Sequence, residues 1–146
     1  MLRDDFNPLH FLLGILFAVG LAVITLTPVA HPIKSLDETY ELSKELGHQW
    51  TEPGVPIIVF TSSGCPHSNV LEAELHSHGV RYLRVDVGEN EVGRAIHARI
   101  GRNYLGTTAT RATPTTVIGT AVIRGNDIAA ILVEVAAQNE QRMNNE

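Results

Sequence analysis

The chain has 146 residues, a formal net charge of -5 and one cysteine. That length suits one domain of ordinary size plus an extra segment. The acidic balance excludes a nucleic-acid partner held by a basic face, and a single thiol excludes an intramolecular disulfide or a Cys-rich metal site.

Residues 1–8, MLRDDFNP, form a polar tail. From Phe6 to Ile33 there is no Asp, Glu, Lys or Arg, and LHFLLGILFAVGLAVITL, Leu9 to Leu26, is apolar on every side. At 1.5 Å per residue, roughly 20 such residues cross a bilayer, so 9–27 is read as a transmembrane helix. The rival reading is a cleavable signal peptide. Two acids against one arginine in the tail, and proline in TPVA where a small residue is wanted for cleavage, favour an uncleaved single-pass anchor. Lys and Arg near the two ends, Arg3 against Lys34 and Lys44, almost balance and tip the soluble part only narrowly to the cytoplasmic side.

Residues 28–54 read as a linker with a short amphipathic helix. Ser35 and Glu38 make an S-x-x-E capping box, and Gly47 is placed to end the helix. Leu36, Tyr40 and Leu46 lie near one stripe, so this helix either pads the domain or holds it off the membrane. The breaker cluster TEPGVP marks the domain entrance.

The domain itself spans 55–142. PIIVF is a short continuous apolar run, as in a strand buried on both faces. PHSNVLEAELHSHG reads as a helix with Val70, Leu71 and Leu75 inward and Gly79 at its end. RYLRVDV alternates as a strand, setting Tyr82, Arg84 and Asp86 against Leu83, Val85 and Val87. NEVGRAIHARIG is a helix with Val92, Ile96 and Ile100 inward and His97 outward, and RNYLGTTATRA is a loop. TTVI-GT-AVIR is a hairpin with a two-residue turn beginning in glycine. DIAAILVEVAAQNEQR closes the domain as a helix capped by Asp127, with Ile128, Ile131, Leu132 and Val135 inward. MNNE, 143–146, is read as a disordered tail. The order β-α-β-α-β-β-α predicts an α/β fold. A βαβ crossover and an antiparallel pair build a mixed four-stranded sheet with helices on both faces.

Chemistry concentrates in TSSGCPHS, 61–68. With Cys65 at the N-cap, Pro66 falls at the first helical position, where its fixed φ fits and its missing N–H costs nothing. The backbone N–H groups of His67 and Ser68 and the helix dipole then stabilise a thiolate. A protonated His67 would add charge, and the Ser68 hydroxyl can donate a hydrogen bond but cannot attack a disulfide. The bland reading of a lone cysteine is an inert small core residue. The position between a buried strand and a Pro-started helix favours reactivity.

From Val55 to about Arg142 the sequence resembles a glutaredoxin, a branch of the thioredoxin-like fold. VFTSSGCPHS resembles that family's strand and Cys-Pro-X-Cys or Cys-Pro-X-Ser entrance. RATPTTVI, Arg111 to Ile118, resembles the segment in which a cis proline faces the active-site cysteine. The resemblance makes Pro114 that proline, and Thr113 the residue whose backbone pairs with glutathione. IRGND, Ile123 to Asp127, resembles the Gly-Gly-X-Asp turn, with Gly125 and Asp127 in register to receive the γ-glutamyl end of glutathione. Ser62 stands where the family usually has a lysine, His67 where an aromatic is common, and Arg124 at the first glycine. Arg111 or Arg124 is then the candidate to meet a glutathione carboxylate in place of that lysine. The Cys-Pro-His triplet is also similar to periplasmic disulfide oxidases, which keep the second cysteine that Ser68 replaces.

The resemblance implies a membrane-anchored monothiol oxidoreductase. Cys65 would attack a protein–glutathione mixed disulfide and take up glutathione, and a second glutathione would regenerate the thiol. Its partners would be glutathione, a glutathionylated or disulfide-bearing protein, and the membrane through residues 9–27. Two other readings stand beside it. One is a glutathione-ligated [2Fe–2S] cluster bridging a homodimer through Cys65 of each copy, against which Pro66 argues because the family's cluster carriers usually have glycine there. The other is a redox-inactive binding domain. Of the remaining features, His76 and His78 read as solvated residues at a helix end, Glu72 and His76 as a surface pair, and Trp50 with Tyr40 as a packing contact. No phosphate loop, nucleophile–base triad or zinc signature is present.

Overall fold

The computed structural model describes residues 33–104 and 112–145. The segment 9–27, read as a transmembrane helix, lies outside them, as does Arg111. Among the described residues no helix is long and apolar enough to cross a membrane.

In chain order the elements are α1 (Leu36–Glu45), β1 (Ile57–Thr61), α2 (Pro66–Ser77), β2 (Leu83–Asp86), α3 (Glu91–Tyr104), β3 (Thr115–Ile118), β4 (Ala121–Arg124) and α4 (Ile128–Asn145). The four strands form one sheet in the order β2-β1-β3-β4. β1 pairs parallel with β2, in the register Thr61 to Asp86, and antiparallel with β3, Phe60 to Thr115. β3 and β4 close as a hairpin, Thr115 to Arg124. This is the mixed sheet of a thioredoxin-like α/β fold, with the strands where the sequence pattern puts them.

β1 is buried at all five positions, so its side chains feed two cores. One holds Ile58, Phe60, Val85, Val117 and Val122, covered by Ile96 and Ile100 of α3 and Leu42 of α1. The other holds Ile57, Val59, Ile118 and Ile123, covered by Leu71 and Leu75 of α2 and Ile131 of α4. The alternation follows from strand geometry, in which successive side chains point to opposite faces.

α1 belongs to the folded body. Ser35 caps it by accepting from the Glu38 N–H at 3.4 Å. The Glu38 carboxylate accepts from the Lys34 N–H, one residue before the partner a capping box prescribes. Two buried hydroxyls, Thr39 and Ser43, lie on its inward face beside Leu42. The Thr39 hydroxyl donates to the Gly119 carbonyl in the hairpin turn, and the Ile33 N–H donates to the Thr120 carbonyl at 3.3 Å. Tyr40 meets the Gly54 carbonyl, and Trp50 packs with the second core and edge-on against His48.

Several inward assignments are corrected. Val70 and Val92 are 50% and 47% exposed. Val92 gives way to its neighbour Gly93, where an added Cβ would stand 2.3 Å from a Val85 methyl, so only hydrogen fits between α3 and β2. His97, expected outward, is 3% exposed. Glu72 pairs with Arg84 rather than with His76, through two contacts of 3.1 Å. α3 runs on to Tyr104, and α4 continues to Asn145, past the point where a polar tail was expected. His76 and His78 are exposed, as expected.

Candidate functional site

The sheet topology carries three sequence-distant segments to one end. β1 delivers the chain there at Thr61. Antiparallel β3 begins there, so Thr113 and Pro114 flank the same end, and β4 finishes there at Arg124. The Gly125 N–H donates to the Pro114 carbonyl at 2.8 Å, which ties the turn before α4 to the start of β3. Asp127 caps α4 by accepting from the Ala130 N–H at 3.0 Å. Cys65, Thr113, Pro114, Gly125 and Asp127 therefore share one end of the sheet. The Thr113–Pro114 peptide is cis, as the resemblance implied.

Between β1 and α2 the chain makes a tight turn. Gly64 has φ +79, a conformation that glycine adopts at no steric cost. The Cys65 N–H donates to the Ser62 carbonyl at 3.0 Å. Cys65 is the N-cap of α2, with extended backbone and Pro66 next, and its carbonyl accepts from the N–H groups of Ser68 and Asn69. The sulfur is partly exposed and lies 3.6 Å from the Thr113 carbonyl.

The thiol pKa is lowered. The Ser68 hydroxyl is the largest cause, followed by the Ser68 N–H; partial burial opposes them, while the Thr113 side chain and the His67 N–H act with them. Ser68 is 1% exposed, and its hydroxyl oxygen has no hydrogen-bond partner around the neutral thiol. A buried hydroxyl with nothing to donate to is costly, by about 1–3 kcal/mol, and that cost is relieved when the neighbouring sulfur becomes an anion. His67 is exposed and contributes to the sulfur through its main chain.

Two further groups shape the site and were not singled out from the sequence. The first is Asp86, which the strand alternation set on the outer face with Arg84. It is 6% exposed, because its position opposite Thr61 turns it under the 62–65 turn. It accepts from the Ser63 hydroxyl at 2.5 Å, from the Gly88 N–H at 2.8 Å and from Arg84 at 3.5 Å. These contacts, the Ser63 hydroxyl first, hold its carboxyl below the ordinary value. A depressed carboxyl pKa adds stability that is present above the unfolded-state value, about 3.9, and is lost as pH falls through the lower folded-state value. Asp86→Asn is expected to lower the unfolding midpoint at pH 7 and to lose less of it on acidification. Urea unfolding from pH 7 to pH 3 checks this, and equal acid limbs in the two proteins would refute it.

The second group is His97. Its ring lies 5.3 Å from that of Phe60, and Nε2 is 3.2 Å from the Thr115 hydroxyl. The sequence signal was present. Positions 93, 96, 97, 100 and 101 are all buried and follow the i, i+3, i+4 spacing of a helix face.

Among the described residues no group of three or more His, Cys, Asp or Glu is placed to hold a metal ion.

Residues 57–123 match the family model described as Glutaredoxin. Similar solved structures include the thioredoxin-like protein BC3987, at 26% identity over 53% of this chain and 97% of that one, with a TM-score of 0.43. The holo form of glutaredoxin C1 from Populus tremula x tremuloides is 20% identical over 73% of this chain and 95% of its own, with a TM-score of 0.47. A buckwheat glutaredoxin–glutathione complex is 19% identical over 73% and 91%, with a TM-score of 0.48. No curated protein matches the chain. Residues 57–123, from the first strand to the fourth, thus resemble a glutaredoxin, and they coincide with the mixed four-stranded sheet that carries Cys65 and Pro114 at one end.

Proposed function

We propose that the protein is a membrane-anchored, glutathione-dependent monothiol oxidoreductase with Cys65 as nucleophile. The observation that carries this reading is Cys65 itself. It is a partly exposed thiol at a helix N-cap, with a lowered pKa and an otherwise unpartnered Ser68 hydroxyl beside it. The match of residues 57–123 to the Glutaredoxin model adds glutathione as the small thiol. The Cys65 thiolate attacks the glutathione sulfur of a protein–glutathione mixed disulfide. The protein thiolate leaves and takes a proton, and Cys65 is left bonded to glutathione. A second glutathione thiolate attacks that disulfide, releasing oxidised glutathione and the Cys65 thiolate. The chain has one cysteine, so the resolving thiol comes from solution.

In this reading Thr113 offers its main chain to the glutathione backbone, and Gly125 with the Asp127-capped start of α4 receives the γ-glutamyl carboxylate. Arg111, in the segment before Ala112, is proposed to meet a carboxylate in the role of the lysine that Ser62 replaces. Residues 9–27 attach the domain to the membrane as a single span, with the domain on the cytoplasmic side.

A bridging [2Fe–2S] cluster takes four sulfur ligands. Two copies of this chain supply two through Cys65, so the glutathione-ligated reading needs two glutathione thiolates as well, and Pro66 next to the thiol argues against it. The inert-domain reading is opposed by the lowered thiol pKa.

The test is the intact mass of the protein before and after oxidised glutathione near neutral pH, and again after reduced glutathione. A single adduct on Cys65 that reduced glutathione removes is the expected result. A thiol that stays unmodified would hand the site to the binding-domain reading.

A further inference from the structure

The buried imidazole of His97 is used by no step above. It lies beneath the segment that faces the sulfur. The Thr115 hydroxyl donates to the Ala112 carbonyl at 2.8 Å, so its hydrogen is committed there. With that hydrogen placed there, the hydroxyl offers His97 a lone pair at 3.2 Å, which the Nε2–H tautomer of the ring matches. The ring is fixed on its other side by Phe60, whose side chain is fully buried. Burial disfavours the charged imidazolium, and a hydrogen bond to the Ala112 backbone opposes that shift. Through the Thr115 hydroxyl the ring is linked to the Ala112 carbonyl at the other end of the Ala112–Thr115 bend. Thr113 lies within that bend, and its carbonyl stands 3.6 Å from the Cys65 sulfur.

We propose that His97 is a positioning residue that acts through the Thr115 hydroxyl and the Ala112 carbonyl to set the Thr113 main chain against Cys65 and the incoming disulfide. An aliphatic side chain would fill the space under the bend. It would leave the Thr115 hydroxyl one partner short and the bend free to tilt. The positional claim stands on the hydrogen bonds alone, and its effect on glutathione rests on the proposed function.

Four variants separate donor from bulk. His97→Leu removes the ring donor and keeps an apolar body, whereas His97→Gln keeps an N–H donor at the ε position. Thr115→Val removes the hydroxyl, and Thr115→Ser keeps it. Two measurements are made on each full-length protein in detergent. One is the pair of amide NMR signals of Thr113 and Cys65. The other is the rate of Cys65 adduct formation with oxidised glutathione, set against alkylation by iodoacetamide. His97→Leu and Thr115→Val should displace both amide signals and slow adduct formation about tenfold, the scale of one lost hydrogen bond of about 1.4 kcal/mol. Alkylation should change far less, within about twofold, since iodoacetamide needs only the thiolate, to which Thr113 is a lesser contributor than Ser68. His97→Gln and Thr115→Ser should stay near the parent in all three readings.

Unmoved amide signals in His97→Leu would overturn the proposal. So would Leu and Gln variants displaced alike, because bulk would then be the whole role. If the parent takes up no glutathione, the functional reading fails, and the amide signals still decide the role of His97.

Discussion

Cys65→Ser is expected to abolish capture of glutathione, reducing adduct formation and glutathione-dependent turnover by on the order of 10³-fold or more, the scale of losing a covalent nucleophile. The loss follows from acidity and softness together. The groups that outweigh partial burial at position 65 favour an anion: the Ser68 hydroxyl, the first N–H groups of α2 and the helix N-terminus. A serine hydroxyl does not ionise at that position near neutral pH, so the same arrangement has nothing to stabilise. No second thiol can substitute, since the chain has only one. The companion variant Ser68→Ala leaves the nucleophile in place and removes the largest cause of its acidity. The alkylation rate of the parent should rise with pH earlier than that of an ordinary thiol, and in Ser68→Ala the rise should move to higher pH. Iodoacetamide kinetics from pH 5 to pH 10 check both. Coincident profiles for the two proteins would mean that the hydroxyl does not reach the sulfur.

Phe60→Ala should cost about 3–5 kcal/mol of stability, as deleting a fully buried aromatic does when its surroundings cannot collapse into the space. Phe60 is at 0% exposure on the central strand, in the core shared by α3, α1 and the sheet. Its ring is also the wall against which His97 rests. Urea unfolding should show a lower midpoint with little change in slope. A loss under about 1 kcal/mol would mean that the neighbouring side chains close the cavity. Because Ser63 is only three residues on, followed by the Gly64 turn and Cys65, a shift of β1 would also reach the sulfur. Partial loss of adduct formation is expected alongside.

The fold was legible where local chemistry and global packing agree. TTVI-GT-AVIR gave its hairpin residue for residue, because alternation and a glycine at the turn specify one register. Cys65 was placed as N-cap because proline at the next position admits few alternatives. The failures have physical causes. Spacing of four in Val92, Ile96 and Ile100 drifts round a helix that repeats at 3.6, and it passed over Gly93 and His97. Hydropathy is blind to a glycine chosen for close approach, and it places histidine on the surface by default. Asp86 turns inward because parallel pairing sets it opposite Thr61, a fact about two segments that neither sequence contains. The buried polar residues Thr39, Ser43, Glu134 and Gln138 were missed for a similar reason. Gln138, for one, finds Thr120 of the hairpin turn at 3.0 Å, a partner fixed only by the tertiary fold.

The bonds from Ile33 and Thr39 to the hairpin turn have a mechanical meaning. β3 runs away from the cysteine, so the turn at Gly119 and Thr120 is the opposite pole of the sheet, about 20 Å along the extended chain from the bend at Thr113. The polypeptide before Ile33 therefore joins the domain at its back. A load applied through residues 1–32 enters at that pole and is borne by α1 and the hairpin. Cys65 lies at the other end of the sheet, beside the start of β3 and away from that attachment.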